Sequence, residues 1–253
     1  MRISFLGKYT EIFFLAAGLF TALEFVAREQ DTLVYTGVAL MVMIAIVFLK
    51  LSNSWSWTLV YIVLATSSVF LIFLVDRSIL RHLAIIIICG VFLALGRISI
   101  EKLKKGPEND RSTLASMVIL STLFIFLAAS QGFYINFLVP LWLLMILYMT
   151  VVSIASYTYF TEFFKEKISQ KNLLLYCGIL GFAMAELAWI TSFWSFGYLT
   201  MGVIVLICFY IQWDIIQSYF LDILSVSRVL ANIFFFGVLT TIVFLSARWV
   251  PIV

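Results

Sequence analysis

The chain has little charge for its length: Asp, Glu, Lys and Arg make up 11% of 253 residues. A soluble domain carries roughly a quarter charged residues. A globule of this size with so few charges has too little polar surface to face water. That shortage excludes a cytosolic enzyme, a nucleic-acid module and a disordered chain. Proline and histidine are also scarce, with 3 and 1 copies. One histidine cannot build a multi-histidine metal centre. The three cysteines, Cys89, Cys177 and Cys208, each lie in an apolar run with no C-x-x-C pair. They read as small core- or lipid-facing side chains rather than redox or metal ligands. No block of five basic residues occurs, so no nucleic-acid partner is expected. The motifs G-x-x-x-x-G-K-[ST], H-E-x-x-H, G-x-S-x-G and G-x-G-D are absent, as are paired adjacent glutamates. These absences argue against motor ATPases, zinc metalloproteases, and rhomboid- or presenilin-type proteases. No metal and no cofactor is expected.

What fills the chain instead is apolar: 64% hydrophobic residues and a mean hydropathy of +1.14. A spanning helix needs about 20 apolar residues. Nine segments approach that length: 11–26, 33–49, 55–75, 79–97, 114–129, 133–159, 173–194, 196–216 and 229–247. Barrel strands would be half as long with dyad alternation. The expected fold is therefore all-α, a polytopic integral membrane bundle of about nine transmembrane helices, with eight possible because several runs are short. The N-terminal run contains Glu24 and passes quickly into a second span, so it reads as a retained helix rather than a cleaved signal.

Basic residues assign orientation through the positive-inside rule. With the N-terminus in the cytoplasm, twelve of the 16 Lys and Arg residues fall inside; Arg28, Arg77, Arg81 and Arg248 fall outside. The expectation is N-in and C-out, most simply in a bacterial cytoplasmic membrane. The longest polar stretch, 101–112, carries the Gly106-Pro107 turn. It joins possible halves, 1–100 with four helices and 113–253 with five, within one transmembrane domain. Asp110 or Ser112 is placed to cap the helix that follows.

Glu186 stands out. It lies in G-I-L-G-F-A-M-A-E-L-A-W-I, well inside the seventh span. Ionised glutamate in hydrocarbon is costly and requires a partner, a cavity, a cation or a proton. Gly178, Gly181, Ala185 and Ala188 form a small-residue seam suited to close helix packing. The seam lies next to Glu186, which places the carboxylate toward the bundle interior. Two readings follow: a proton or substrate site, or a structural bond locking helices. Glu24 sits nearer an end of the first span, four residues before Arg28, a spacing that permits an i,i+4 pair. His82 lies with Asp76, Arg77 and Arg81 at the outer end of the fourth span, as acid–base group, pH-sensitive partner of a carboxylate, or plain interfacial residue. Arg97 is placed to snorkel. Asp214, Asp222 and Arg228 cluster around the inner end of the eighth span, and Pro140 falls early in the sixth. The stretches 130–136 and 195–198 read as uncharged outer turns rich in aromatics, which suit a lipid interface.

Glu24 precedes Tyr35 by 11 residues and Glu186 precedes Tyr198 by 12, in hairpins of similar apolar pattern. That is a candidate parallel repeat. The stretch A-E-L-A-W-I-T-S-F-W-S-F-G-Y-L, with the W-D that follows, resembles the C-terminal region of uncharacterised bacterial multi-spanning membrane proteins. The resemblance covers about a quarter of the chain and implies no activity. The leading functional expectation is a transporter-like or ligand-binding membrane protein. Its pocket would open outward around Glu186, with Arg81, His82 or Arg28 as partners. One alternative is a membrane-embedded enzyme on a lipid or lipid-linked substrate, using Glu186 or His82 for proton transfer and arginines for phosphate. The other is an assembly subunit that binds a membrane-protein partner or a second copy. The bilayer is a partner in every case, and a small-molecule or lipid ligand in the first two.

Overall fold

The computed structural model describes residues 2–29, 33–51, 55–101, 108–137 and 139–247. Among them the chain is all helix: α1 Arg2–Arg28, α2 Leu33–Leu51, α3 Trp55–Leu74, α4 Ser78–Glu101, α5 Glu108–Phe137, α6 Leu141–Phe164, α7 Gln170–Thr191, α8 Tyr198–Phe220 and α9 Val226–Ser246. Eight contain apolar stretches of 19 to 27 residues, long enough to cross a bilayer. In α2 the described apolar run is shorter, Tyr35–Ile44. The helical form follows from the solvent: in hydrocarbon each N–H and C=O must be satisfied within the segment.

The helices run longer than the apolar stretches because polar ends continue them. α5 starts at Glu108, so Asp110 and Ser112 fall in its first turns and neither caps it. At its other end, residues 130–136 continue α5 as helix rather than forming a turn. The break falls later, where Pro140 caps α6 with φ −62° and ψ 135°. Proline has no N–H to donate and suits a helix start. The sixth span therefore begins eight residues later than the apolar pattern indicated.

The chain divides into two compact units, 1–129 and 130–253. In the first, α1 packs on α4 and α2 packs on α3. α1 buries Ile12, Leu15, Leu19, Leu23 and Val26, a single stripe at helical spacing. α3 is buried along most of its length, and its Tyr61 meets Phe92 of α4 edge to face at 5.5 Å. Gly96 of α4 faces Ile12, whose side chain occupies the space a Cβ would need.

In the second unit α6 and α7 form the most extensive helix pair. Trp213 of α8 is buried among aromatics, with ring centroids 4.7 Å from both Tyr159 and Phe160 of α6 and 5.3 Å from Phe209. α8 ends in a Schellman turn: Ile223 N–H bonds to the Ser218 carbonyl and Asp222 N–H to the Tyr219 carbonyl, with Asp222 at φ 56°. Asp222 is thus a helix stop, a left-handed position that Asp tolerates. Ser225 caps α9, accepting from Arg228 N–H at 3.3 Å. α9 has no buried residue.

Candidate functional site

The polar residues of the first unit gather where α1 ends and α4 begins. Arg81, in the first turn of α4, donates from Nη1 to the Ala27 carbonyl at 2.6 Å and from Nε to the Val75 carbonyl at 2.8 Å. Those carbonyls lie at the C-terminal ends of α1 and α3. They are orphan acceptors at the negative ends of two helix dipoles. One guanidinium fork satisfies both.

His82 follows directly. Its Nδ1 lies 2.7 Å from the Ser78 carbonyl, and its Nε2 lies 3.5 Å from Glu24 Oε1. Glu24 thus pairs across to α4; the anticipated partner was Arg28, four residues along its own helix. The His82 side chain is 57% exposed and that of Glu24 20%. Arg28, Asp76 and Arg77 lie exposed around the pair. Glu24, Arg81 and His82, read separately from the sequence, are therefore brought together.

In the second unit, three of the four small residues expected to form a seam on α7 are buried. Gly181, Ala185 and Ala188 are buried on α7, together with Cys177 and Met184. At Gly181 an added Cβ would collide with Ser153 Oγ and come within 2.5 Å of the Met149 carbonyl oxygen on α6. Ser153 donates to the Cys177 carbonyl at 3.1 Å, bridging the two helices. Gly178 has no atom within 4 Å of its would-be Cβ and takes no part in this approach.

Glu186 corrects the sequence expectation. It is exposed on α7, on the side that carries the exposed Phe182, Trp189 and Ile190. The cause is helical geometry: a neighbour in sequence sits about 100° around the helix. With Ala185 turned to the packed face, Glu186 turns away from it. No hydrogen bond or ion pair reaches Glu186 among the described residues. The two glutamates of the candidate repeat therefore have different surroundings, one paired and half-buried, the other unpaired and exposed.

Two further polar groupings are present: the first was not anticipated, and in the second Asp214 and Arg228 were expected near each other but Asn232 was not. Gln131 of α5 is fully buried and donates from Nε2 to Thr191 Oγ1 at 3.1 Å. The buried Tyr148 hydroxyl is within hydrogen-bonding reach of the Ser130 and Gln131 side chains. The Ser-Gln-Gly run around Gln131 resembles a turn, which concealed it. At the other end of the unit, Asp214 of α8 accepts from Arg228 Nη2 at 3.2 Å and from Asn232 Nδ2, both on α9. The i,i+4 spacing of Arg228 and Asn232 was the available signal.

No group of three or more His, Cys, Asp and Glu side chains among the described residues is arranged to hold a metal ion. Among the described residues, nine helices, eight of them long and apolar enough to span, define a polytopic α-helical integral membrane protein. No family model matches the chain, and no curated protein or solved structure does either.

Proposed function

We propose that this integral membrane protein is transporter-like, binding a coupling proton or a cationic ligand at Glu186, with the N-terminus inside a bacterial cytoplasmic membrane. The observation that carries the reading is a carboxylate within a spanning helix, five residues before its end at Thr191, exposed and with no partner among the described residues. An ionised carboxylate at membrane depth is costly alone. A proton or a cation supplied from outside the chain removes that cost, and its reversible arrival is the elementary event of coupled transport. The opposite face of α7, tightly seated on α6 at Gly181, gives Glu186 a rigid mount.

Proton flux in proteoliposomes under an imposed pH gradient tests this. The parent is expected to conduct, and Glu186→Gln to lose at least about tenfold, a change of ~1.4 kcal/mol in barrier. A flux unchanged in Glu186→Gln removes Glu186 from the coupling.

One observation favours a second reading, an assembly subunit: α9 has no buried residue, although it is as long and apolar as its neighbours. That face and Glu186 would then meet another membrane protein. Stable co-purification in native lipid particles supports this reading, and monodisperse monomer in several mild detergents opposes it.

A further inference from the structure

Independently of Glu186, the junction of α1 and α4 holds a second titratable grouping whose geometry constrains where its protons sit. The Ser78 carbonyl can only accept, so the His82 Nδ1 that lies 2.7 Å from it carries a hydrogen. The other ring nitrogen, Nε2, then faces Glu24 Oε1 at 3.5 Å. In the neutral ring that nitrogen presents a lone pair to a carboxylate, which repels it. The contact becomes attractive only when one proton is added. That proton resides on Nε2, giving imidazolium against carboxylate, or on Glu24, giving a carboxylic O–H that donates to Nε2.

We propose that Glu24 and His82 form a proton-binding site in which one bound proton ties the C-terminal end of α1 to the N-terminal end of α4. The neighbouring charges are Arg28 and Glu29 at the end of α1, Asp76 and Arg77 in the turn before α4, and Arg81 on α4 itself. α3 brings no charged side chain, and Tyr35 is the titratable group of α2 described at that end. Asp31 lies outside the described residues. Arginine stays charged throughout the accessible range, so its charge is a constant background to the pair.

The two consecutive residues divide the work. Arg81 bonds α1 and α3 at every pH through carbonyls that do not titrate. His82 adds a bond from α4 to α1 that exists only when a proton is taken from the aqueous phase. Acid on that face therefore adds a bond to a junction already held by the Arg81 fork. The ligand of this site is the proton itself, and the His82 side chain is 57% exposed.

The single histidine makes the site readable without assignment. The full chain, labelled with nitrogen-15 histidine, purified through a histidine-free handle and placed in lipid nanodiscs, reports both ring nitrogens. The expected result in mildly alkaline buffer is a ring protonated on Nδ1 alone, and in mildly acidic buffer a ring protonated on both. A ring protonated on Nε2 alone at the higher pH overturns the proposal. Thermal unfolding supplies the second measurement. Acidification over the same range is expected to raise the parent's midpoint by about 1–3 °C more than that of Glu24→Gln or His82→Gln, given the exposure of the pair. Glu24→Gln keeps the shape and supplies an amide N–H that meets Nε2 without a proton. An equal acid response in the parent and both variants also overturns the proposal.

Discussion

Replacing Gly181 by alanine separates close packing from helix propensity, because Gly178 on the same helix provides a matched control. In Gly178→Ala the new methyl meets no atom within 4 Å. Only the helix-propensity gain remains, up to about 1 kcal/mol. Gly181→Ala receives the same gain but places its methyl 2.5 Å from the Met149 carbonyl oxygen and onto Ser153 Oγ. A backbone carbonyl cannot swing aside, so α6 and α7 must separate. Overpacking of this kind costs about 1–3 kcal/mol. Displacing the Ser153 hydroxyl from the Cys177 carbonyl adds about 0.6 kcal/mol, the average for interhelical bonds in membranes. The propensity term cancels between the variants, leaving Gly181→Ala about 1.5–3.5 kcal/mol less stable than Gly178→Ala. In a chain of this size that is roughly 5–10 °C in unfolding midpoint. The assay is thermal unfolding of both variants in the same nanodiscs. Equal midpoints would refute the placement of Gly181 at the point of closest approach.

Arg81→Gln is expected to lower stability by about 2 kcal/mol, because a charged fork to two helix-end carbonyls is lost; Arg81→Lys should not restore it, since a single ammonium cannot reproduce the two-pronged geometry. Chemical denaturation read from both variants checks this, and a parental midpoint for Arg81→Lys would count against the fork. Trp213→Ala removes the ring at the centre of the α6–α8 aromatic cluster and should cost about 3–5 kcal/mol, seen as a loss of cooperative unfolding at moderate temperature.

How far the fold was legible in the sequence depended on the kind of physics involved. The helical segments were legible because the bilayer permits no other form for runs of that length. The α5–α6 boundary was not. Ser130, Gln131 and Gly132 have turn-like composition, yet the backbone continues through them and stops only near Pro140. Tertiary burial of Gln131 against Thr191 overrode local propensity there. The Glu186 orientation failed for a geometric reason: adjacency in sequence was read as adjacency of face, although consecutive helical residues diverge by about 100°. Gly181, Ala185 and Ala188 are buried together because their spacing is that of one face. Glu24 and His82 were each noticed, but no periodicity links residues on two helices so far apart in sequence. Their pairing emerged only from the fold.

The last helix has a further consequence for how the second unit is assembled. α9 contributes nothing to a buried core. It meets α8 through the Asp214 carboxylate near one end, and near the other its Phe244 ring lies against Trp194 and Phe196 of the α7–α8 connection. The interior of the unit can therefore close before α9 is in place. The free energy of positioning α9 is mostly that of an apolar rod dissolving in lipid, and its contacts at both ends and through Phe236 on Tyr210 at 4.9 Å set azimuth and depth. In a synthesis proceeding from the N-terminus, α9 is a late spar that aligns with a finished body. An error in its insertion would leave the α6–α7–α8 packing intact.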